Sequence, residues 1–475
     1  MEKLTVGQIC EAVKGVLLRG NNDTEVTGIC IDSRQAAPGD LFVPIIGERV
    51  DAHRFIPDVF AKGAAASFTS HFDNLPETEG ALIGVNNTED ALQMLGAWYR
   101  TQFELPVVGV TGSVGKTTTK EMVSAALATT FDVLKTPGNY NSLVGLPVTI
   151  LALEKHHEAA VIEMGMSERG EMEKLSKVAV PHCGVITNIG VSHIAQLGSQ
   201  ENIRKEKANI IDSFDENSVL FLCADDPLLY ELAVHPENVD LDEKTREVLP
   251  KIRICTYGLR EGSDYRAVEI ETVDDRTSFV CVGPKGSCKV SLSVLGTHNV
   301  CNALAAIGIA ETLDIPMEKA AEGVGAYQAF RMRGQIHTVG STKIIDDTYN
   351  ASPDSMKSGV RMLTSLTGCT KTIAVLADVL ELGERSDELH EDVGRFIAEE
   401  STVDLLLTVG RGGKHIAKGA AEHLREGRNL EIHSFQEKAE AIAFLKEMCL
   451  DGCGILIKGS RGMEMEEIVK TFIPA

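Results

Sequence analysis

The segment from Val108 to Thr117 combines glycines, a lysine and a threonine at a spacing that suits the binding of a polyphosphate. It reads VGVTGSVGKT and stands between an apolar run that predicts a strand and a pattern that predicts a helix. Such a turn directs backbone N–H groups and a helix N-terminus at one point, where Lys116 adds charge and Thr117 can bind Mg²⁺. The strict pattern has glycine at the position of Val110, so an ordinary strand-to-helix turn is the alternative. We predict that ATP binds to the phosphate-loop residues Thr111, Gly112, Ser113, Val114, Gly115, Lys116, Thr117 and Thr118.

Two side chains beyond this loop could bind the metal that accompanies a nucleotide. Glu163 ends one predicted strand, and His193 follows the next. Ligands of parallel sheets bind where the strands end at their carboxyl edge, so both residues are expected beside the loop. For His193, a surface or structural role is the alternative.

Lys207 stands on the apolar face of a predicted helix. At about 100° per residue, the side chains that share its direction are Ile203, Ile210, Ile211 and Phe214. Arg204 and Lys205 point elsewhere, as in a solvated charge run. Because a buried ammonium is costly unless it is paired or modified, we expect either an acidic partner for Lys207 or a chemical modification.

The composition excludes several classes of protein. The chain has 475 residues, 43% hydrophobic and 24% charged, which is enough apolar material for about three globular domains. Its formal net charge of -23 has the wrong sign for nucleic-acid binding, and no apolar run has the length of a membrane span. The beginning MEKLTVGQIC lacks the apolar stretch of a signal peptide, and the 11 scattered cysteines suit reduced thiols. We therefore expect a cytoplasmic protein that binds no nucleic acid and works as a monomer.

The apolar periodicity predicts an α/β protein of three domains. Residues 1–85 are expected to form a small N-terminal α/β domain, residues 86–315 a central domain whose parallel sheet carries the phosphate loop, and residues 316–475 a C-terminal Rossmann-like domain. Within the central domain, the segment from Ile252 to Val294 has short alternating runs broken by turn residues. We expect this segment to form an antiparallel annex.

Six separate motifs, in order along nearly the whole chain, resemble those of the Mur ligase family, whose members use ATP to form the amide bonds of the bacterial peptidoglycan stem. They are Thr111 to Thr117, Asn139-Tyr140-Asn141-Ser142, Glu163-Met164-Gly165, Asn188 to His193, Gly296-Thr297-His298-Asn299 and Asp346-Asp347-Thr348-Tyr349-Asn350-Ala351. The resemblance implies that the N-terminal domain binds the UDP end of a muramoyl substrate. It also implies that the central domain binds ATP and the C-terminal domain the incoming amine.

The same resemblance implies roles around the metal. Lys116 would bind the β and γ phosphates, and Thr117 with Glu163 would hold one Mg²⁺. His193 and Lys207 would serve a second Mg²⁺, with CO₂ bound to Lys207 as a carbamate. A carbamate replaces the buried cation by anionic oxygen, the ligand type that Mg²⁺ prefers.

Further matches concern the nucleotide and the substrates. The residues that match the adenine and ribose contacts of the family are His298, Asn299, Asp347 and Asn350. Arg331 would reach the γ-phosphate, with Arg333 as the alternative match. The candidate substrate contacts are Ser33, Arg34, Asn139, Asn141, Ser142 and Arg461. Arg461 follows a predicted strand and could bind a substrate carboxylate by paired hydrogen bonds, or could face solvent.

One position departs from the family. Ala52 stands where the family usually has glycine, which makes the conformation of this loop and its uridine contacts uncertain. Nearby, Ser33 and Arg34 could also be simply a turn residue and a surface charge.

Three segments resemble the family members whose substrates are UDP-N-acetylmuramoyl-tripeptide and D-alanyl-D-alanine. They are the Asp-Asp-Thr-Tyr-Asn run, Leu380-Glu381-Leu382-Gly383 and Lys458 to Met463. The implied product is UDP-N-acetylmuramoyl-pentapeptide, formed through an acyl phosphate with release of ADP. Two alternatives stay open. One is another amide ligase of this fold, which adds the third stem residue or resembles folylpolyglutamate synthase, and the other is a non-catalytic ATP-binding switch.

Overall fold

The computed structural model describes residues 1–73, 75, 77 and 79–473. Three large sheets follow one another along the chain, and helices pack against each of them. The predicted α/β architecture is therefore confirmed. Six short 3₁₀ helices join the regular elements, at Ala52–Phe55, Asn209–Ser213, Pro236–Asn238, Leu249–Lys251, Gly383–Arg385 and Arg461–Met463.

The N-terminal sheet has five strands in the order β2-β7-β6-β5-β4, and a small ladder joins β1 to β3. The strands are β1 Leu4–Thr5, β2 Val16–Arg19, β3 Glu25–Val26, β4 Gly28–Cys30, β5 Asp40–Phe42, β6 Ala66–Thr69 and β7 Ala81–Gly84. The helices are α1 Val6–Val13, α2 Ile56–Ala61 and α3 Thr88–Arg100. Asn87 caps α3 by accepting from the N–H groups of Glu89 and Asp90, and this fixes where the helix begins.

The central sheet has nine strands in the order β16-β15-β14-β13-β12-β11-β8-β10-β9. The strands are β8 Val107–Thr111, β9 Val133–Lys135, β10 Ala159–Glu163, β11 Cys183–Ile186, β12 Val219–Cys223, β13 Arg253–Gly258, β14 Tyr265–Val273, β15 Arg276–Gly283 and β16 Gly286–Leu292. The helices are α4 Lys116–Leu127, α5 Gly145–Leu151, α6 Glu171–Ala179, α7 Ile194–Leu197, α8 Gln200–Ala208, α9 Pro227–Val234, α10 Glu243–Val248, α11 Thr297–Thr312 and α12 Met317–Gly325. All residues of β8, β10 and β11 are buried, as expected for parallel strands covered on both faces.

The expected antiparallel annex is wrong in part. Strand β13 pairs parallel with β12, because the chain crosses over through α9 and α10 between them, and it also makes a short parallel pairing with β14 at Tyr257 and Gly258. Only β14, β15 and β16 pair antiparallel, and they extend the central sheet at its edge.

The C-terminal sheet has six strands in the order β17-β18-β22-β19-β20-β21. The strands are β17 Gln335–Val339, β18 Thr342–Asp347, β19 Lys371–Ala377, β20 Leu405–Val409, β21 Glu431–Phe435 and β22 Cys453–Lys458. The helices are α13 Pro353–Thr364, α14 Ser386–Glu400, α15 Gly410–Glu422, α16 Lys438–Glu447 and α17 Glu466–Phe472. Strand β17 runs antiparallel to β18, and the other neighbours are parallel, so the carboxyl ends of β18, β19 and β22 meet at one edge.

Candidate active site

The phosphate loop joins the end of β8 to the beginning of α4, at the carboxyl edge of the central sheet. Gly112 and Gly115 have φ values of 144° and 87°, which L side chains rarely adopt. A Cβ atom on Gly112 would also lie 1.9 Å from Thr187 Oγ1. The loop can therefore take this path only with glycine at Gly112.

The residues that follow β11 hold the loop in place. The N–H of Ser113 donates to the carbonyl of Asn188 at 3.0 Å, and the N–H of Val114 donates to Asn188 Oδ1 at 2.9 Å. In return, Thr187 Oγ1 and Asn188 Nδ2 donate to the carbonyl of Val114 at 2.6 and 2.9 Å. The first residue of the motif Asn188 to His193, together with Thr187 before it, thus shapes the phosphate loop.

Lys116 begins α4 and turns back over the loop. Its Nζ donates to the carbonyl oxygens of Gly112 at 2.7 Å and Ser113 at 3.3 Å. Burial lowers the pKa of Lys116, Glu163 opposes this shift, and Arg333 adds to it. The ammonium group therefore stands where the loop would receive a phosphate.

Glu163, at the end of β10, carries a carboxylate oxygen without a hydrogen-bond partner. The side chain is only 2% exposed. Its Oε1 accepts from Asn141 Nδ2 at 2.8 Å, whereas Oε2 has no hydrogen bond and lies 3.9 Å from Lys120 Nζ. A buried anionic oxygen without a donor is costly by itself and is well suited to bind a cation.

His193 and Lys207 both lie close enough to Lys116 for the charge of its ammonium to act on them. His193 precedes α7 with φ at 63°. Burial lowers its pKa to about 4, and the charges of Lys116 and Lys207 add to the shift. At neutral pH the imidazole is therefore uncharged and can act as a metal ligand.

Lys207 is buried, as predicted, and is only 1% exposed. In the part of the chain that the structure describes, no carboxylate lies within 4 Å of its Nζ. The neighbouring Glu206 accepts instead from the N–H groups of Gly170 and Met172, both at 2.9 Å. Burial, together with the charge of Lys116, places the pKa of Lys207 well below its usual value. The expected acidic partner is thus absent among the described residues.

Arg204 is buried as well, and the prediction that it belongs to a solvated charge run is wrong. Its Nη1 contacts Glu231 Oε2 at 2.5 Å and the carbonyl of Leu228 at 3.3 Å. The reason is that α9 packs over the face of α8 that a single helix would expose.

A cavity of about 780 Å³ opens between the central and C-terminal sheets and brings most of the predicted nucleotide residues together. The predicted residues in its wall are Ser113, Val114, Gly115, Lys116, Thr117, Thr118, Asn139, Asn141, Glu163, His298, Asn299, Asp347 and Asn350. Thr111, Gly112, Ser142, His193 and Lys207 are outside this lining. Thr111 and Gly112 form the beginning of the loop. His193 and Lys207 are close enough to Lys116 for its charge to lower the pKa of both side chains.

Models of the Mur ligase family match three successive parts of the chain. They are the Mur ligase family catalytic domain at residues 25–103, the Mur ligase middle domain at 110–310 and the Mur ligase glutamate ligase domain at 331–461. A UDP-N-acetylmuramoyl-tripeptide–D-alanyl-D-alanine ligase from Bacillus subtilis is 38% identical over 100% of this chain and 99% of its own. The chain belongs to the Mur ligase family.

Solved structures of Mur ligases have the same fold over the same length. A crystal structure of MurF from Acinetobacter baumannii has a TM-score of 0.88 and 33% identity and covers 99% of each chain. MurF ligase from Thermotoga maritima, in complex with ADP, has a TM-score of 0.80 and 27% identity and covers 94% of this chain and 97% of its own. Within the described residues, no helix of this Mur ligase is both long and apolar enough to cross a membrane.

Arg333, and not Arg331, faces the cavity of this Mur ligase. Arg331 is exposed and lies outside the lining. The guanidinium of Arg333 stacks over the ring of Tyr349 at 3.9 Å, and its Nε is buried without a hydrogen-bond partner. Of the two arginines considered from the sequence, the structure therefore brings only Arg333 toward the phosphate loop.

Four predicted substrate residues lie outside the cavity. Arg34 is exposed and pairs with Asp32 at 2.6 Å, and the carbonyl of Ser33 accepts from Lys62 Nζ at 2.7 Å. Arg461 follows β22, as predicted, but its Nη1 pairs with Glu466 Oε1 at 3.1 Å. Ser142 lies just before α5, where its hydroxyl accepts from the N–H of Gly145, the first residue of the helix, at 3.3 Å.

The loop at Ala52 accommodates its alanine without strain. Ala52 begins a 3₁₀ helix that Asp51 caps by accepting from the N–H of His53 at 2.9 Å. Ala52 is not among the residues with positive φ, so glycine is not required there.

Two residues of the site, one buried and one half-buried, were not assigned a role from the sequence. Lys458 ends β22, is 2% exposed, and donates to Asp347 Oδ2 at 2.6 Å and to the carbonyl of Asn350 at 3.0 Å. Asp354, in the first turn of α13, accepts from the N–H of Val191 at 3.3 Å and so joins the C-terminal domain to the loop before His193. A lysine that ends a wholly apolar strand was the available signal for Lys458.

Proposed function

We propose that this chain is an ATP-dependent, ADP-forming ligase that joins D-alanyl-D-alanine to UDP-N-acetylmuramoyl-tripeptide in peptidoglycan synthesis. The observation that carries the proposal is that similarity to a ligase of that name extends over the whole chain, including the C-terminal domain. Similarity confined to the phosphate loop would suit any amide ligase of this fold, or an ATP-dependent switch. We also expect the protein to act in the cytoplasm, because its substrates are water-soluble compounds. We expect it to work there as a monomer.

In this reaction the protein brings two groups of like charge together. The tripeptide carboxylate attacks the γ-phosphorus of ATP, ADP leaves, and the acyl phosphate that results is attacked by the amine of D-alanyl-D-alanine with loss of phosphate and a proton. Lys116 and Arg333 supply positive charge on the two sides of the cavity, and the loop N–H groups bind phosphate oxygens. His298, Asn299, Asp347 and Asn350 are proposed to hold the adenosine, as their positions in the wall suggest.

The residues present suit a magnesium site. Glu163 Oε2 is a buried anionic oxygen without a donor, and Thr117 follows Lys116 in the same cavity wall. We propose that these two residues hold one Mg²⁺ and that His193 and Lys207 serve a second. Bound Mg²⁺ would neutralise the phosphate charge that repels the incoming carboxylate.

The surroundings of Lys207 support the proposed carbamate. A carbamate forms from a neutral amine and CO₂, and both burial and the nearby Lys116 favour the neutral amine. The product carries anionic oxygens, which removes the cost of a buried ammonium without a carboxylate partner. An uncharged His193 beside it is the form that can share a metal.

The remaining assignments concern the substrates. Asn139 and Asn141 are proposed to contact the muramoyl tripeptide, because they line the cavity beside Glu163. We propose Ser142, Ser33 and Arg34 for the same substrate, the last two at its UDP end. For the carboxylate of D-alanyl-D-alanine we propose Arg461, which would have to exchange its contact with Glu466 for the substrate.

The test is phosphate release and product mass with all three substrates and with each one omitted. We expect release that requires both UDP-N-acetylmuramoyl-tripeptide and D-alanyl-D-alanine, and a product heavier by the added dipeptide. UDP-N-acetylmuramoyl-dipeptide with diaminopimelate, and a folate with L-glutamate, test the two related ligase activities. Binding of ATP without release under any of these conditions would favour the switch instead.

A further inference from the structure

A group of potential metal ligands stands in the wall of the same cavity, away from Glu163. Cys223 ends β12, Asp225 follows two residues later, and Cys301 lies in the second turn of α11. All three line the cavity. The two sulfur atoms and a carboxylate oxygen of Asp225 all lie within 4.8 Å of one another.

These separations suit a small thiophilic cation. Zinc binds cysteine sulfur at about 2.3 Å and carboxylate oxygen at about 2.1 Å, so a tetrahedral site separates two sulfurs by roughly 3.8 Å and a sulfur from an oxygen by roughly 3.6 Å. Cys301 Sγ lies 3.4 Å from Asp225 Oδ2. The other two separations are at most 4.8 Å, so a shift of up to about 1 Å, within reach of side-chain rotation, would bring the three atoms around one ion.

The surrounding backbone already orients the carboxylate. Asp225 accepts from the N–H groups of Leu259, at 2.8 and 3.0 Å, and of Arg260, at 2.9 Å. Oδ1 accepts two of these bonds, whereas Oδ2 accepts one of them and the hydrogen bond of Cys301 Sγ, so a lone pair of Oδ2 becomes free for a cation when that thiol loses its proton. Asp225 is exposed to the cavity. Cys223 is nearly buried, at 7% exposure, and Cys301 is half-buried. The open side of the group therefore faces the water of the cavity, which can supply a fourth ligand.

We propose that Cys223, Asp225 and Cys301 form a binding site for a thiophilic divalent cation, represented by Zn²⁺, and that its occupation hinders nucleotide binding. The cation takes the place of the two thiol protons, which pass to solvent, so each bound ion releases up to two protons. Soft thiolate ligands select such an ion over Mg²⁺, which prefers oxygen. Cys301 lies one turn beyond His298 in α11, and His298 is proposed to hold the adenosine. The expected effect on nucleotide binding therefore rests on the proposed function.

A second pair of neighbouring free thiols, Cys281 and Cys288, serves as a comparison for the group of Cys223, Asp225 and Cys301. They face each other across β15 and β16, and both are buried. Among the described residues, this pair belongs to no group of three ligands. Two neighbouring thiols therefore do not by themselves make such a site, and the carboxylate of Asp225 is what completes it.

The first test is titration of the full-length, nucleotide-free protein with Co²⁺, in a buffer whose reductant contains no thiol. Cobalt bound to thiolate gives an intense near-ultraviolet charge-transfer band, and we expect one to appear at about one ion per chain. Cys223→Ser and Cys301→Ser should each reduce the band by more than half, whereas Cys449→Ser, at an exposed cysteine outside the group, should keep it. No band in the wild type, or a full band in both cavity variants, would overturn the proposal.

A second measurement on the wild type does not depend on the folding of the variants. Zn²⁺ should slow the alkylation of Cys301 by iodoacetamide at least tenfold and leave the alkylation of Cys449 unchanged, as measured by mass spectrometry of peptides. Equal protection of both residues, or of neither, would overturn the site. Loss of the two cavity thiols to a Cys223–Cys301 disulfide without bound metal would also overturn it, and would identify an oxidation site instead.

The effect on the nucleotide is tested by the binding of ADP with and without Zn²⁺. We expect Zn²⁺ to raise the Kd of ADP at least tenfold in the wild type and less than threefold in Cys301→Ser. An equal rise in both proteins would place the competition at the magnesium ligands and overturn this part of the proposal. Ligase turnover in zinc-free buffer tests the proposed function separately, since the cobalt band requires no substrate.

Discussion

Replacing Lys116 by alanine should reduce turnover by about 10³-fold. The ammonium group contacts two loop carbonyls, at 2.7 and 3.3 Å, and so stands where phosphate oxygens would bind. Two opposite unit charges about 4 Å apart interact by about 4 kcal/mol at an effective dielectric constant of ~20. Since ~1.4 kcal/mol corresponds to a tenfold change in rate, loss of an interaction made with the transferring phosphate would cost about three orders of magnitude.

The same substitution should leave the fold intact. The hydrogen bonds of Lys116 go to two carbonyls of its own loop, and such bonds contribute only about 1 kcal/mol each to stability. Thermal melting and steady-state ADP formation should be measured on one preparation. Lys177→Ala is the matched control, because it removes an exposed lysine from the same domain and breaks only a surface pair with Glu173. Turnover of Lys116→Ala within about threefold of wild type, a barrier change below ~1 kcal/mol, would refute the assigned role.

Three other substitutions test neighbouring assignments. Lys207→Ala should be nearly inactive and partly restored by formate or acetate, which can occupy the position of the carbamate oxygens; an active variant would contradict the carbamate. Arg333→Ala should lower kcat by about 10³-fold and Arg331→Ala by less than twofold, in steady-state kinetics, and the opposite ranking would return the role to Arg331. Arg461→Ala should raise the KM for D-alanyl-D-alanine by about 10- to 150-fold, the equivalent of ~1.5–3 kcal/mol, while the KM for ATP stays constant. Equal changes for all three substrates would indicate a defect in domain closure.

The periodicity of the sequence predicted which residues the individual elements would bury. In the Rossmann-like domain predicted at residues 316–475, for example, strands β20 and β22 are buried throughout. The buried position of Lys207 also followed from the pattern of one helix, because Lys207 shares its direction with isoleucines that can only face a core.

The errors arose where a second element decides the outcome. Arg204 is buried because α9 covers the polar side of α8 and offers Glu231, and the sequence of α8 contains no sign of that. Which of Arg331 and Arg333 reaches the γ-phosphate stays a prediction, because the stacking of the Arg333 guanidinium on Tyr349 is a contact that the sequence does not show. The annex was misjudged because the direction of β13 is set by the crossover before it and not by its own residues.

The hydrogen bonds between the phosphate loop and the residues Thr187 and Asn188 order the loop when the protein folds. The conformational entropy of the loop is therefore lost on folding and not on nucleotide binding. Fixing a residue of a flexible loop costs about 1–2 kcal/mol, and here folding has already met that cost through four hydrogen bonds to Ser113 and Val114. The loop therefore need not fold again at each cycle of nucleotide binding and release. Motion during the cycle can then be confined to the joint between the two sheets, where Val191 N–H donates to Asp354 and Asp275 pairs with Lys343 and accepts from Thr367.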